Sequence, residues 1–309
     1  MTTIQNHTPR RDTSGAVIDC HDGCLEFHDG RYYLYGTAYG TTDGFTPANR
    51  YVCYSSPDLE AWTPHGEILA EQPEGVMYRP YVKFHPRRRT FVLWFNWYPV
   101  LWEGQYGVAE SDTPHGPFRV VETAATVNGK TPGDHSLFVD DDGTAYLVYT
   151  DISLGHRIRV ERLNADWTNS TGEASDLFER RNEATAMFER DGWYYVTFGN
   201  NCPFCPEGAG VQVHRSRSPL GPYEFVRDIN RDDDGHVIIP GQQTHVATLH
   251  TTSGPQLMWM ADLWESRPDG IKGHDLQHWQ PLRFDDNGDV QRLRPLDEWS
   301  LDLATGAAT

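Results

Sequence analysis

Short runs dominated by aromatic and β-branched residues recur along the chain, each entered through a charged or glycine-bearing turn. They are "HDGRYYLYG" at 28–36, "PRRRTFVLWF" at 86–95, "DDGTAYLVYT" at 141–150, "RDGWYYVTFG" at 190–199 and "TSGPQLMWMAD" at 252–262. A turn feeding such a run predicts a β-hairpin. Each run is followed by a second piece: "YSSPDLEAW", "ESDTPHGPF", "ERLNADW", "HRSRSPLGPYEF" and "KGHDLQHW". These read as an outer strand that ends in a turn and an aromatic anchor. The paired unit returns about every 50 to 60 residues, and several strands per unit at that period predict a propeller. Five units predict an all-β, five-bladed β-propeller in a single domain over residues 15–298, with an N-terminal extension at 1–14 and a C-terminal tail at 299–309. Pro and Gly interrupt every window long enough for a helical period, and a two-sheet sandwich would explain the strands without the paired recurrence.

Composition narrows the function. The 309 residues include 10 Trp, 15 Tyr and 13 Phe, enough bulk to fill a core built from short strands. A formal charge of −18 argues against nucleic acid or an anionic membrane as partner. The one tight basic run, Arg87-Arg88-Arg89, reads as a charged turn. No segment approaches the ~18 apolar residues of a membrane span, and "MTTIQNHTPRRDTSG" lacks the apolar stretch of a signal peptide. The chain as given therefore reads as cytoplasmic, or as secreted if a leader has been removed. Five cysteines do not describe a disulfide scaffold. "CHDGC" and "CPFC" offer four thiolates to a metal, or two redox pairs, against the plainer reading of packed small hydrophobes.

In a propeller the innermost strand of each blade starts at the central axis, so residues just ahead of the first hairpin strand converge on one funnel. With the strand of blade one taken to begin near Leu25, that place holds Asp22 in "IDCHDGCLEF". It holds Asp134 in "TPGDHSLFVDDDG" and Glu183 in "RRNEATAMFERDG". Asp22 lies 10 residues before Tyr32 and Glu183 lies 11 before Tyr194, so the registers agree. Two carboxyl groups flanking an acetal suffice for glycoside hydrolysis, one protonating the leaving oxygen while the other activates water or attacks. A third nearby would keep the acid protonated by like-charge repulsion. Asp29, Asp140, Asp141, Asp142 and Asp191 read instead as turn residues that cap backbone amides.

These residues resemble glycoside hydrolase family 43 and its five-bladed relatives. The likeness is carried by "HDGCLEFHDGRYYLYG", "DHSLFVDDDGTAYLVY", "NEATAMFERDGWYYVTFG" and "GVAESDTPHGPF", and it spans about residues 15 to 295. The resemblance implies Asp22 as general base, Asp134 as the acid that tunes and positions, Glu183 as general acid, and an inverting single displacement. Within the family the chain is most similar to exo-acting β-1,3-galactanases, through "RPYVKFHP", "FVLWFNW", "GQQTHV" and "MWMADLW". Those enzymes lack the base Asp and lean on a Gln that matches Gln242. This chain departs from them by keeping Asp22 and by carrying Tyr78 where they hold a substrate-binding Glu, so Gln242 reads as a sugar contact. Thr185 also replaces the usual Pro two residues after the acid.

His21, His135 and His245 flank the funnel residues, and the resemblance leaves room for a structural calcium ion near the axis, with no cofactor required. Trp97, Tyr98, Trp102 and Trp264 are candidates to stack on a sugar face. Together, His21, Tyr78, Arg79, Trp97, Gln242, His245, Asp262 and Trp264 form the expected substrate-binding set. The expected activity is exo-acting release of a neutral sugar, galactose or arabinofuranose before xylose, from an oligo- or polysaccharide. The alternatives are an α-L-arabinofuranosidase or β-xylosidase, a non-catalytic carbohydrate-binding propeller, and a metal-dependent enzyme using His21, His135 and the thiols.

Overall fold

A computed structural model describes residues 1–100, 103–205 and 207–304. The chain opens with β1 (Thr2–Gln5) and then forms five antiparallel sheets in sequence order. Blade one is β2 (His21–His28), β3 (Arg31–Ala38), β4 (Arg50–Ser56) and β5 (Thr63–Glu67); blade two is β6 (Val76–His85), β7 (Thr90–Val100), β8 (Glu103–Ser111) and β9 (Arg119–Glu122). Blade three is β10 (Pro132–Val139), β11 (Ala145–Asp151), β12 (Arg157–Leu163) and β13 (Ser170–Ala174); blade four is β14 (Asn182–Arg190), β15 (Trp193–Asn200), β16 (Gln212–Ser216) and β17 (Glu224–Asp228). Blade five has three strands, β18 (Gln242–Thr251), β19 (Gly254–Leu263) and β20 (Leu276–Pro281), and β21 (Glu298–Leu301) closes the chain.

The five aromatic runs form β3, β7, β11, β15 and β19, the second strand of each blade, and the five-bladed propeller is as the repeat predicts. Asp29 and Asp191 occupy the left-handed region at hairpin turns, and Asp142 accepts the Thr144 amide at 2.7 Å, all as turn residues. The basic run is the β6–β7 turn, from which Arg88 reaches Glu110 with two hydrogen bonds of 2.7 and 2.8 Å. Blade five departs from the pattern: "KGHDLQHW" forms a short 3-10 turn and enters β20, rather than ending an outer strand.

The hydrophobic core lies between blades. One cluster joins Tyr35 and Cys53 of blade one to Trp94 and Phe95 of blade two and Tyr149 of blade three. Others join blades three and four through Val148, Met187 and Phe198, blades four and five through Tyr195 and Trp259, and blades five and one through Met258 and Leu34. A flat, half-buried strand face rich in aromatics covers its neighbour without long side-chain excursions. Cys20 and Cys24, read as half of a metal or redox set, fall into different clusters as buried free thiols. Cys202 and Cys205 are joined by a disulfide, so four thiolates do not meet. Two residues separate the pair from each other, but their blade is not the blade of Cys20 and Cys24, and the motif spacing could not show that.

The two chain ends, read as extension and tail, pair with each other as β1 and β21 and cover the outer side of blade five; of the tail, 305–309 lie outside the described residues. Asn6 stitches them down. Its amide donates to the carbonyls of Trp279 (3.0 Å) and Leu296 (2.8 Å), and its oxygen accepts the Trp279 amide at 2.8 Å. Asn6 thus occupies part of the edge that a fourth strand would cover. Asn6→Ala leaves these buried backbone groups unpaired, and we expect a loss of about 2 kcal/mol, measured as a lower denaturant midpoint at unchanged slope.

Candidate active site

Each of the five innermost strands carries a register shift near its start, between His21 and Cys24, Tyr78 and Tyr81, Pro132 and His135, Glu183 and Ala186, and Gln243 and His245. These are β-bulges, which insert one residue, bend the strand and re-aim side chains. The expected site residues therefore lie within the inner strands, at or beside the bulge, and not ahead of them. The reading of a strand starting near Leu25 missed the first residues of β2 because the bulge breaks the alternation there.

Three bulge residues, Asp22, Arg79 and Ala184, hold φ values of 53°, 50° and 58°. The left-handed region costs an L-residue about 1 to 2 kcal/mol. In each case the amide of the bulge residue is held by a carboxylate of the preceding blade. Asp22 N–H donates to Asp262 Oδ2 at 2.6 Å, Arg79 N–H to Asp22 Oδ1 at 3.2 Å, and Ala184 N–H to Asp134 Oδ2 at 3.2 Å. On its other side Ala184 is fixed by Gln243, whose amide donates to the Ala184 carbonyl at 2.8 Å.

Asp22, Asp134 and Glu183 meet in one cavity of about 370 Å³, together with Tyr39, Asp43, Phe45, Tyr78, Arg79, Tyr98, His156, Phe204, Gln242, Trp264 and Lys272. Asp22 accepts the Thr37 hydroxyl at 2.7 Å on Oδ1 and the Tyr39 hydroxyl on Oδ2. Burial pushes its pKa up, Arg79 and the two hydroxyls pull it back, and it settles at about 6. Asp134 takes the Arg79 Nε at 3.0 Å. Glu183 accepts the Gln242 amide at 2.7 Å on Oε1, while His156 Nδ1 stands 3.7 Å from Oε2. Burial and the charge of Asp134 push Glu183 up, Arg79 and Gln242 offset part of this, and its pKa reaches about 8. At neutral pH Asp22 is thus mainly ionised and Glu183 mainly protonated.

Of the expected binding residues, Tyr78, Arg79, Gln242 and Trp264 line the cavity, as does Tyr98. Gln242 is engaged at both ends, since its oxygen accepts the Trp264 indole N–H at 2.8 Å. His21, Trp97, His245 and Asp262 do not line it. His21 is buried beneath, with Nδ1 at 3.1 Å from Asp262 and Nε2 at 3.2 Å from the Gly273 carbonyl. Burial opposes its charge, but Asp262, Asp19 and that carbonyl outweigh burial and raise its pKa to about 9. The His21–Asp262 ion pair holds the carboxylate that clamps the Asp22 backbone. Trp97 turns its indole N–H to the Glu74 carbonyl at 2.8 Å, and Trp102 lies outside the described residues. Sequence reasoning passed over Thr37, near the end of β3, and Tyr39, just past it, whose hydroxyls both reach Asp22. Lys272 gave no signal: its ammonium lies 4.1 Å from the Trp264 ring and 5.0 Å from that of Tyr39.

Deeper on the axis, His135 and His245 are buried and flank Tyr81, and burial keeps both neutral. The His135 ring contacts the backbone of Trp94, and His245 Nε2 is 3.7 Å from Glu26, which is already paired with Lys83 at 2.5 Å. Calcium takes six to eight oxygens, water among them, and the protein groups on offer beside Tyr81 are the two neutral imidazoles and Glu26.

Among the described residues no helix is long and apolar enough to cross a membrane. The chain superposes on a family 43 β-1,3-galactosidase solved with galactodeoxynojirimycin, at TM-score 0.83 and 25% identity over 96% of this chain and 100% of that one. It shares its fold with an exo-β-1,3-galactanase from Clostridium thermocellum, at TM-score 0.83 and 24% identity over 98% and 68% of the two chains. In sequence it is 27% identical over 281 residues to an arabinoxylan arabinofuranohydrolase of Bacillus subtilis (strain 168), covering 72% of this chain and 52% of that protein. A β-D-galactofuranosidase of Aspergillus niger is 28% identical over 214 residues, 62% of this chain and 59% of its own. The chain thus spans between half and three fifths of these two curated relatives. Residues 36–288 match the profile of glycosyl hydrolases family 43, and with the propeller and its three convergent carboxyl groups this places the chain in that family of glycosidases.

Proposed function

We propose that the protein is an inverting, exo-acting glycoside hydrolase that releases a neutral sugar, galactose or arabinofuranose before xylose. The observation that carries the reading is the protonation split between Asp22 and Glu183 within one cavity. An inverting hydrolase needs an ionised base and a protonated acid at the same pH, on either side of the scissile bond. A cavity of about 370 Å³ has the size of a small-molecule site, which suits a chain end better than the middle of a long glycan. The relatives that act on galactosides, galactofuranosides and arabinofuranosides support the sugar class, and the acidic chain suits a neutral substrate.

The hydrogen bonds support a division of tasks between the oxygens. Asp22 Oδ1 already takes two donors, Thr37 and the Arg79 amide, while Oδ2 takes Tyr39 alone. Each carboxylate oxygen has two acceptor sites, so Oδ2 retains one for the attacking water. On Glu183 Oε1 is held by Gln242, and Oε2, without a hydrogen bond, carries the proton toward the glycosidic oxygen. Asp134 positions: its charge raises Glu183, its Oδ2 holds the Ala184 amide beside the acid, and its Oδ1 pairs with the Arg79 guanidinium. Water then adds at the anomeric carbon as the leaving oxygen takes the Glu183 proton. Asp22 receives the proton of the water, so one bond forms and one breaks with inversion.

Hydrolysis of a panel of 4-nitrophenyl glycosides and β-1,3-linked oligosaccharides, with the product anomer followed by proton NMR, tests this. Inverted product whose formation falls about 10²- to 10⁴-fold in Glu183→Gln is expected; retained configuration, or turnover indifferent to Glu183, would sink the mechanism. Activity requires Asp22 ionised and Glu183 protonated. The kcat/KM profile should therefore rise through about pH 6 and fall through about pH 8. Tyr39→Phe removes a donor that lowers the Asp22 pKa, so its acid limb should move to higher pH while the alkaline limb stays in place. A shift of both limbs together would mean that Tyr39 acts on the fold rather than on Asp22.

A further inference from the structure

Phe204 is 62% exposed, yet it lines the same cavity as the three carboxyl groups. Among the other aromatics of that cavity, Tyr39 is tied to Asp22, Tyr78 to the Gly44 carbonyl at 3.1 Å and Trp264 to Gln242, while Phe45 packs against the rings of Tyr78 and Tyr98. Phe204 has no polar end, so stacking is the contact it can offer a ligand. We propose that Phe204 is the platform on which the leaving-group sugar stacks, held out by the Cys202–Cys205 disulfide. This rests on the glycosidase reading above and extends it to the part of the substrate that departs.

The placement follows from the acid. In β14 and β15, Asn182 pairs with Asn200 and Glu183 with Gly199, and the Asn201 amide donates to the Arg181 carbonyl at 2.9 Å. The turn that bears Phe204 therefore grows from the backbone directly beside Glu183. The acid protonates the oxygen that leaves, so the leaving sugar lies on its side of the cavity. Tyr39, Trp264 and Lys272 gather instead around Asp22, on the side where water is activated.

The turn is also fixed before any ligand arrives. Besides the disulfide, the Cys205 amide donates to the Cys202 carbonyl at 3.2 Å and the Cys202 amide to Asn200 Oδ1 at 3.1 Å. At its base the Asn200 amide donates to the Ala209 carbonyl at 2.7 Å, and Arg231 grips the carbonyls of Glu207 and Gly208 at 2.8 and 3.1 Å. A short disulfide-closed turn presents an apolar ring without the ordering cost a free loop would pay on binding. Its flat, uncharged face matches the C–H face of a neutral sugar ring.

The test compares a β-1,3-linked disaccharide of the sugar that the panel identifies with the fluoride of the same sugar and anomer, whose leaving group is a single atom. Phe204→Ala should lower kcat/KM for the disaccharide about five- to ten-fold and leave the fluoride within about two-fold, with Phe204→Trp restoring the disaccharide rate. The double variant C202S/C205S should raise KM for the disaccharide about three-fold and leave the fluoride alone. Equal losses on both substrates, or no loss on the disaccharide, would overturn the platform; a double variant that matches wild type would overturn the role of the disulfide. If wild type turns over neither substrate, the glycosidase reading itself fails, and that result is distinct from a Phe204 variant that behaves as wild type.

Discussion

Around the funnel, the amide of a left-handed bulge residue donates to a carboxylate of the blade before it: Asp22 to Asp262, Arg79 to Asp22, Ala184 to Asp134. These contacts settle two problems at once. A left-handed L-residue is costly without compensation, and so is a buried carboxylate without donors. Each answers the other, so the carboxylates proposed for catalysis also join blades. The carboxylates are consequently held from the backbone, whose position is set by whole sheets, rather than by flexible side chains alone.

The second consequence concerns charge. Arg79 is buried among three carboxyl groups and serves them unequally: Asp22 through its amide and Asp134 through its guanidinium, with Glu183 feeling only its charge. Asp134 receives the ion pair. Glu183, buried and facing Asp134, is left with the proton, whereas hydroxyls from Thr37 and Tyr39 keep Asp22 lower. Asp22 and Glu183 in water would titrate close together; burial and one asymmetrically placed cation separate them.

The cavity is correspondingly divided by blade. Blades one, two and five supply Asp22, Arg79 and the Tyr39–Trp264–Lys272 wall, and His21 with Asp262 braces that side from beneath. Blades three and four supply Asp134, Glu183 and the clipped turn. Gln242 joins the halves, donating to Glu183 and accepting from Trp264. A sugar contact by Gln242, as the motif suggested, has to share an amide that already spans the acid and the wall.

Much of this was legible in the sequence. Five aromatic runs at a steady spacing are a local, repeating consequence of strands that bury both faces between neighbours, and they announced the propeller. Their place in the repeated unit likewise singled out Asp22, Asp134 and Glu183, with matching offsets for Asp22 and Glu183, because equivalent places in repeated units converge on the axis. Other features depend on contacts between distant blades, and no local pattern encodes them. His21 and Asp262 are 241 positions apart, so their pairing beneath the cavity, instead of within it, emerges only when blade five closes on blade one. "CHDGC" and "CPFC" look alike as spacings, yet one is divided between two hydrophobic clusters and the other is a bridged turn at the cavity. Residue types and period determined the fold and the reactive groups; only the tertiary structure decided which acid keeps its proton, because that depends on burial and on where a single guanidinium lies.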